Sequence, residues 1–184
     1  MNITEKCIES YSRHKNLKLT GIDIGIPWQT VYTHLKKAGV AVTGDKGRYG
    51  SATDRIAILG EGFFKKAVPD AIDNNESEYQ STIDFTVNGY SVDVKTSRLH
   101  DKRPNSKGGK DPERWSFCIN KQKDKADFFV LYALSKENKP QHVFLVPNET
   151  ATSRSIISIP MTLSSKWADF MIEESDLHPF FMNL

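Results

Sequence analysis

Cysteine is scarce in this chain. Cys7 and Cys118 are the only two, far apart, and neither has a second cysteine or a suitably spaced histidine beside it, so a structural zinc site is not expected. No apolar run approaches the roughly 18 residues of a membrane span. The opening MNITEKCIES has acidic residues and no apolar core, unlike a secretory leader, so the expected location is cytoplasmic and no membrane partner is expected. The five histidines share no spacing, which leaves neither a histidine-metal nor a Ser-His-Asp arrangement to propose. GDKGRYG (44–50) is rich in glycine but lacks the Lys-Ser/Thr ending of a phosphate loop, so ATP binding is excluded. Internal repeats and long low-complexity runs are absent too.

What is there suits a folded chain. Its 184 residues, 38% hydrophobic and 26% charged, suffice for one medium domain, or for a small one followed by a domain of about 130 residues. A net charge of +2 says little, but its distribution says more. Residues 1–55 hold 9 Lys/Arg against 5 Asp/Glu, and residues 101–125 hold 8 against 4; 56–100 and 126–184 each hold 4 against 7. Two basic segments thus flank an acidic one.

That acidic segment contains IDFTVNGYSVDVK (83–95). Alternating runs on both sides of Asn88-Gly89 signal a two-residue turn, whose central residues take positive φ. Counting outward pairs Val87 with Tyr90, Thr86 with Ser91, Phe85 with Val92, Asp84 with Asp93 and Ile83 with Val94. Ile83, Phe85, Val87, Tyr90, Val92 and Val94 then form one apolar face, and Asp84, Thr86, Ser91, Asp93 and Lys95 share the other. Two carboxylates facing each other at about 5 Å repel by roughly 3 kcal/mol at an effective dielectric of about 20. Lys95 supplies one compensating charge, and a divalent cation held by both carboxylates would supply two. The plain alternative is a solvated outer face. Basic segments on either side suit a polyanion passing over a metal site.

Residues 4–14 place Cys7, Ile8 and Tyr11 at helical spacing, and a short helix is expected from Leu17 to Ile24. In GIPWQTVYTHLKKAGV (25–40), Gly25 marks a tight turn, Pro27 a helix start and Gly39 its end, with Val31 and Leu35 facing inward. This pattern resembles the helix-turn-helix family. The resemblance makes 27–37 the recognition helix, presenting Trp28, Gln29, Thr30, Thr33, Lys36 and Lys37 to DNA. A helical hairpin without DNA contact is the alternative. The polar stretch 41–54 reads as a linker, which sets expected domains at 1–45 and 46–184.

Beyond it, a helix over 55–68 puts Ile56, Leu59, Phe63 and Ala67 on one face, with Ser51 or Thr53 placed to cap it and Pro69 to close it. Gly60 and Gly62 flank Glu61 there, each costing roughly 1 kcal/mol in a helix, which suggests close approach of another backbone or of DNA. After the hairpin, 100–114 reads as a charged loop, 115–119, 126–134, 142–148 and 155–160 as strands, and 164–174 as a closing amphipathic helix. Trp115 and Trp167 read as core. Lys121 and Gln122 read as a solvated turn, with a phosphate or metal-water contact as the lesser alternative. The expected class is α/β with a mixed sheet.

A helix bearing Glu61, a strand bearing Asp84, a tight turn and a strand reading Asp93-Val94-Lys95 together resemble the PD-(D/E)xK nuclease superfamily over about residues 55–147. One departure is Ile83, where the family has proline. The resemblance implies a restriction-endonuclease-like core in which Asp84 and Asp93 bind Mg²⁺, with Mn²⁺ as a substitute, and Glu61 joins directly or through water. Lys95 would orient or help deprotonate the attacking water. The physics agrees, because Mg²⁺ takes hard oxygen ligands and offsets charge building on phosphate. The expected function is a Mg²⁺-dependent DNA endonuclease acting on double-stranded or branched DNA as a homodimer or larger homo-oligomer. The alternative is a non-catalytic helix-turn-helix regulator with a degenerate nuclease-like domain, and an RNA substrate also stays open.

Overall fold

A computed structural model describes residues 2–42, 50–77, 81–104, 107–151 and 153–184. The chain forms two compact units: Met1–Ser51 with Asn74–Ser81, and Ala52–Asp73 with Thr82–Leu184. The expected boundary at 45/46 lies outside the described residues, as does nearly all of the glycine-rich stretch 44–50.

The first unit is helical, with α1 (Ile3–His14), α2 (Leu17–Ile24) and α3 (Trp28–Lys37). Asn2 and Glu5 form a reciprocal capping box that fixes the start of α1. The core is Cys7, Tyr11, Val31 and Leu35, all buried. Ile8 does not join it and stays exposed, because the buried stripe of α1 runs through Cys7, Ser10 and Tyr11. Ser10 donates to Asp23 Oδ2 at 2.5 Å and Arg13 Nη2 lies 3.1 Å from the same oxygen, tying α1 to α2. The Ser10 hydroxyl, with Arg13 and His14, holds the Asp23 carboxyl below the usual range. The turn from α2 to α3 depends on two glycines. Gly25 has φ +74°, and a Cβ on Gly21 would lie 2.6 Å from the Ile26 carbonyl oxygen.

The second unit is α/β. Helix α4 (Ala52–Ala67) starts directly after Ser51, and leads through β1 (Ile72–Asp73) toward the hairpin β2 (Phe85–Val87) and β3 (Tyr90–Arg98); a short helix α5 (Asn74–Ser77) intervenes in sequence. Next come β4 (Arg103–Pro104), β5 (Lys110–Asp111), β6 (Arg114–Cys118), β7 (Phe128–Leu134), β8 (Pro140–Pro147), helix α6 (Asn148–Ala151), β9 (Ile156–Pro160), β10 (Met171–Ile172) and helix α7 (Leu177–Met182). The main sheet is mixed, in the order β1-β2-β3-β7-β8-β10, with β3 and β7 parallel and the other pairs antiparallel. One face carries Phe64 of α4 and Phe181 of α7 against Val92, Val94 and Tyr132; the other carries Trp115 and Phe117 of β6 and Ile157 and Ile159 of β9 against Phe129, Leu131 and Phe144.

Two expectations need correction here. The segment 164–174 is not one amphipathic helix: it holds a 3₁₀ turn at Lys166–Phe170, β10 and a second 3₁₀ turn at Glu174–Asp176, and the closing helix is α7. Its apolar residues serve different partners, since Trp167 packs with β6 and β9 whereas Ile172 packs on the opposite face. Residues 100–114 are not all loop, because β4 and β5 pair with each other there; Asn105 and Ser106 lie outside the described residues. β6 and β9 form a two-stranded sheet of their own.

Helix α4 keeps Ile56, Phe63 and Ala67 of the expected face on the core and buries Gly60 and Phe64 with them, but leaves Leu59 exposed. Gly60 lies where the helix comes closest to β3. A Cβ there would stand 1.8 Å from Thr96 Oγ1 of β3, so a side chain, not backbone or DNA, demands this glycine. Gly62 has open space around it. Gly60→Ala is therefore expected to destabilise the protein by about 1–3 kcal/mol despite alanine's better helix propensity. Adding Thr96→Ala should recover part of that loss in urea melts, whereas additive losses would mean the two residues do not press on each other.

Candidate active site

The hairpin forms in the register read from the sequence, Phe85 opposite Val92, Thr86 opposite Ser91 and Val87 opposite Tyr90. Asn88 and Gly89 have φ of 48° and 85°, as a two-residue turn requires. The ladder stops at Phe85. Asp84 turns out of the strand, and its Oδ2 accepts a 2.8 Å hydrogen bond from the Val94 N–H, replacing a ladder bond with a side-chain bond. The bend also moves Ile83, which packs with the Trp115 and Phe129 cluster instead of joining Phe85 and Val87. Asp84 nonetheless remains beside Asp93 and raises its pKa, as the opposed pairing requires.

Strand β3 alternates cleanly. Val92, Val94 and Thr96 face α4, which places Asp93, Lys95 and Ser97 on the opposite side. Asp93 pairs in register with Phe129, and Lys95 with Leu131. A carboxylate thus lies beside a central hydrophobic strand with 0% of its surface exposed. The Lys95 ammonium lies 2.5 Å from Asp93 Oδ2, yet neither Asp93 oxygen has a hydrogen bond of good geometry. Burial, opposed by Lys95 and assisted by Asp84, pushes the Asp93 carboxyl up to about 7. A solvated outer face is incompatible with this environment. The cost of a buried carboxylate is offset here by one ammonium, and carboxylate oxygens fit the hard donor set of a divalent cation.

Glu61 follows Gly60 on α4, which packs on the Val92, Val94 and Thr96 side of β3, and among the described residues no three His, Cys, Asp or Glu side chains converge to hold a metal. Lys121 is exposed and Gln122 half-buried in a turn closed by Lys125 and Ala126 N–H bonds to the Gln122 carbonyl. That turn is tied to the chain before Asp84. Lys125 Nζ donates to Thr82 Oγ1 at 3.4 Å, two residues before Asp84, and nothing local in the sequence announces the contact.

In the helical unit, all six expected DNA-facing residues, Trp28, Gln29, Thr30, Thr33, Lys36 and Lys37, are exposed on α3. Tyr32 stands exposed with them, one turn from Trp28. Its i+4 spacing from Trp28 was the available signal for it.

No protein-family model matches the chain, and no curated protein matches it either. Among the described residues no helix is long and apolar enough to cross a membrane.

Proposed function

We propose that the chain is a Mg²⁺-dependent DNA endonuclease of the PD-(D/E)xK type, with a restriction-endonuclease-like core and a helix-turn-helix unit that holds the duplex. The observation that carries this reading is Asp93: a fully buried carboxylate next to Asp84, held by the Lys95 ammonium 2.5 Å from its Oδ2. A non-catalytic binder has no use for such an arrangement, which costs stability unless a cation or a reacting phosphate uses it.

Asp84 and Asp93 would hold the metal, which would supply charge compensation and Lewis acidity for in-line attack on a phosphodiester. Mn²⁺, with similar oxygen preferences, would substitute. Lys95 keeps its ammonium at Asp93, so it acts either on the attacking water or on negative charge building on the phosphate. The mixed sheet holds Asp93 and Lys95 on one rigid strand, and the Asp84–Val94 hydrogen bond holds the other carboxylate against it. Glu61 enters this reading only through water or a rearrangement of α4. Cutting both strands of a duplex calls for two such sites, hence a homodimer or larger assembly.

Incubation with supercoiled plasmid and with branched junctions, in Mg²⁺ and in EDTA, tests the activity: relaxed, linear or resolved products should form only with metal. Intact DNA in every condition would leave the regulator reading. The roles of the two units separate by salt. Deleting residues 1–45, or changing Lys36 and Lys37 to Ala, should weaken DNA binding and lower the slope of log affinity against log salt by nearly one unit per lost phosphate contact. Residues 46–184 should still cut weakly at low salt. Equal affinity of truncated and full chains would make the helical unit purely structural.

A further inference from the structure

A concavity of about 380 Å³ lies just past the C-terminal end of β3. Its floor is the side of β6 and β9 turned away from the core, where Arg114, Ser116 and Ser158 line it, and the chain after β3 contributes His100 and Arg103. Arg114 is poorly satisfied. Its Nε is buried with no hydrogen-bond partner, and Nη1 reaches Ser158 Oγ only at 3.4 Å. Arg103 is exposed and makes no ion pair among the described residues. Two carboxylates also line the space, but both face cations. Asp101 lies 2.5 Å from Lys136 Nζ, which holds its carboxyl below the usual range, and Asp111 lies 3.9 Å from Arg114 Nη2. A guanidinium fork with an unmet donor, a second guanidinium and two serine hydroxyls suit a tetrahedral oxyanion.

The pocket is coupled to the carboxylate site through the backbone. The Ser116 N–H donates to Ser97 Oγ at 3.0 Å, and Ser97 lies on the same face of β3 as Asp93 and Lys95. Ser97 and Asp93 lie four positions apart, about 13 Å along the strand at the usual rise, and the pocket lies across β6 from Ser97.

We propose that this pocket is a second phosphate subsite, taking a backbone phosphate of the same DNA whose scissile phosphate sits at Asp84 and Asp93. The inference rests on the nuclease reading. Phosphate contacts fix register without reading sequence, so the pocket would decide which bond is presented to the carboxylates.

The test uses the full chain, a fluorescent DNA duplex in Ca²⁺ for binding, and the same duplex in Mg²⁺ for cleavage. Arg103→Ala and Arg114→Gln should each weaken binding roughly 5- to 20-fold at low salt and lower the salt slope by about one unit. Cut positions should spread as register loosens. Arg103 is exposed, so its variant keeps the test valid should Arg114→Gln unfold. Wild-type affinity, slope and cut positions in both variants, with wild-type cleavage intact, would overturn the subsite alone. No binding or cutting by the wild-type chain would remove the nuclease reading and this inference with it. Saturable uptake of inorganic phosphate at the arginine Nε–H signals, without any loss of DNA affinity in the variants, would assign the pocket to a free anion and overturn the DNA assignment.

Discussion

Asp93→Asn is expected to abolish Mg²⁺-dependent cleavage and, in EDTA, to make the protein more stable at pH 8 than the wild type. Loss of the charged ligand removes metal affinity, while the amide lifts the desolvation penalty on a fully buried carboxylate. The pH dependence has a definite sign. The Asp93 carboxyl is pushed up to about 7 from 3.8, so between those values the native state holds the proton and the unfolded state does not. Metal-free stability should therefore fall as pH rises from about 4 to about 7 and level off above, by a few kcal/mol at most. Asp93→Asn should flatten that fall. Thermal melts in EDTA at pH 5 and pH 8, beside a plasmid assay in Mg²⁺, check both halves. Wild-type cleavage by both Asp93→Asn and Asp84→Asn would remove the carboxylates from any catalytic role.

Lys95→Ala is expected to lower the cleavage rate by about 10² or more while leaving DNA binding in Ca²⁺ intact or tighter. Losing one electrostatic stabiliser of the transition state costs a factor of this order. The carboxylates that would hold the metal remain, and their repulsion, no longer offset by the ammonium 2.5 Å away, favours a divalent ion. Lys66→Ala, on the exposed side of α4, serves as the control. The measurement is a gel shift in Ca²⁺ with a time course in Mg²⁺. Parallel loss of binding and cutting would make Lys95 a DNA contact, and no change in either would deny it any part in the chemistry.

The hairpin was legible because its signals are local. Asn88 and Gly89 demand positive φ, alternation fixes the faces, and the register follows by counting. Helices α2 and α3 were legible for the same reason, with Gly25, Pro27 and Gly39 marking their ends. What escaped depends on contacts between distant residues. Ile56, Leu59, Phe63 and Ala67 fit one apolar stripe in sequence, yet α4 meets Thr96 of β3 at Gly60, with Gly60 and Phe64 buried and Leu59 facing out. Ile83 alternates correctly with Phe85, yet the Asp84 side chain takes the Val94 N–H and turns the chain, sending Ile83 to the other face. Glu61 carried the right chemistry on the right helix, but its distance from Asp93 depended on which side of β3 that helix covers. At the carboxylates, the sequence placed Asp84, Asp93 and Lys95 on one face; that this face is buried required β7 and β6, elements remote in the chain.

The main sheet begins and ends with very short strands. β1 and β10 are two residues long each, so a further strand would find only two residues of backbone to pair with at either end. Long open ladders are the usual route by which sheets recruit foreign chains and aggregate. At the two ends of the main sheet that route is short. Growth of the main sheet by adding a strand to β1 or β10 is correspondingly disfavoured, and pairing of copies through side-chain surfaces would leave the strands that carry Asp93 and Lys95 undisturbed.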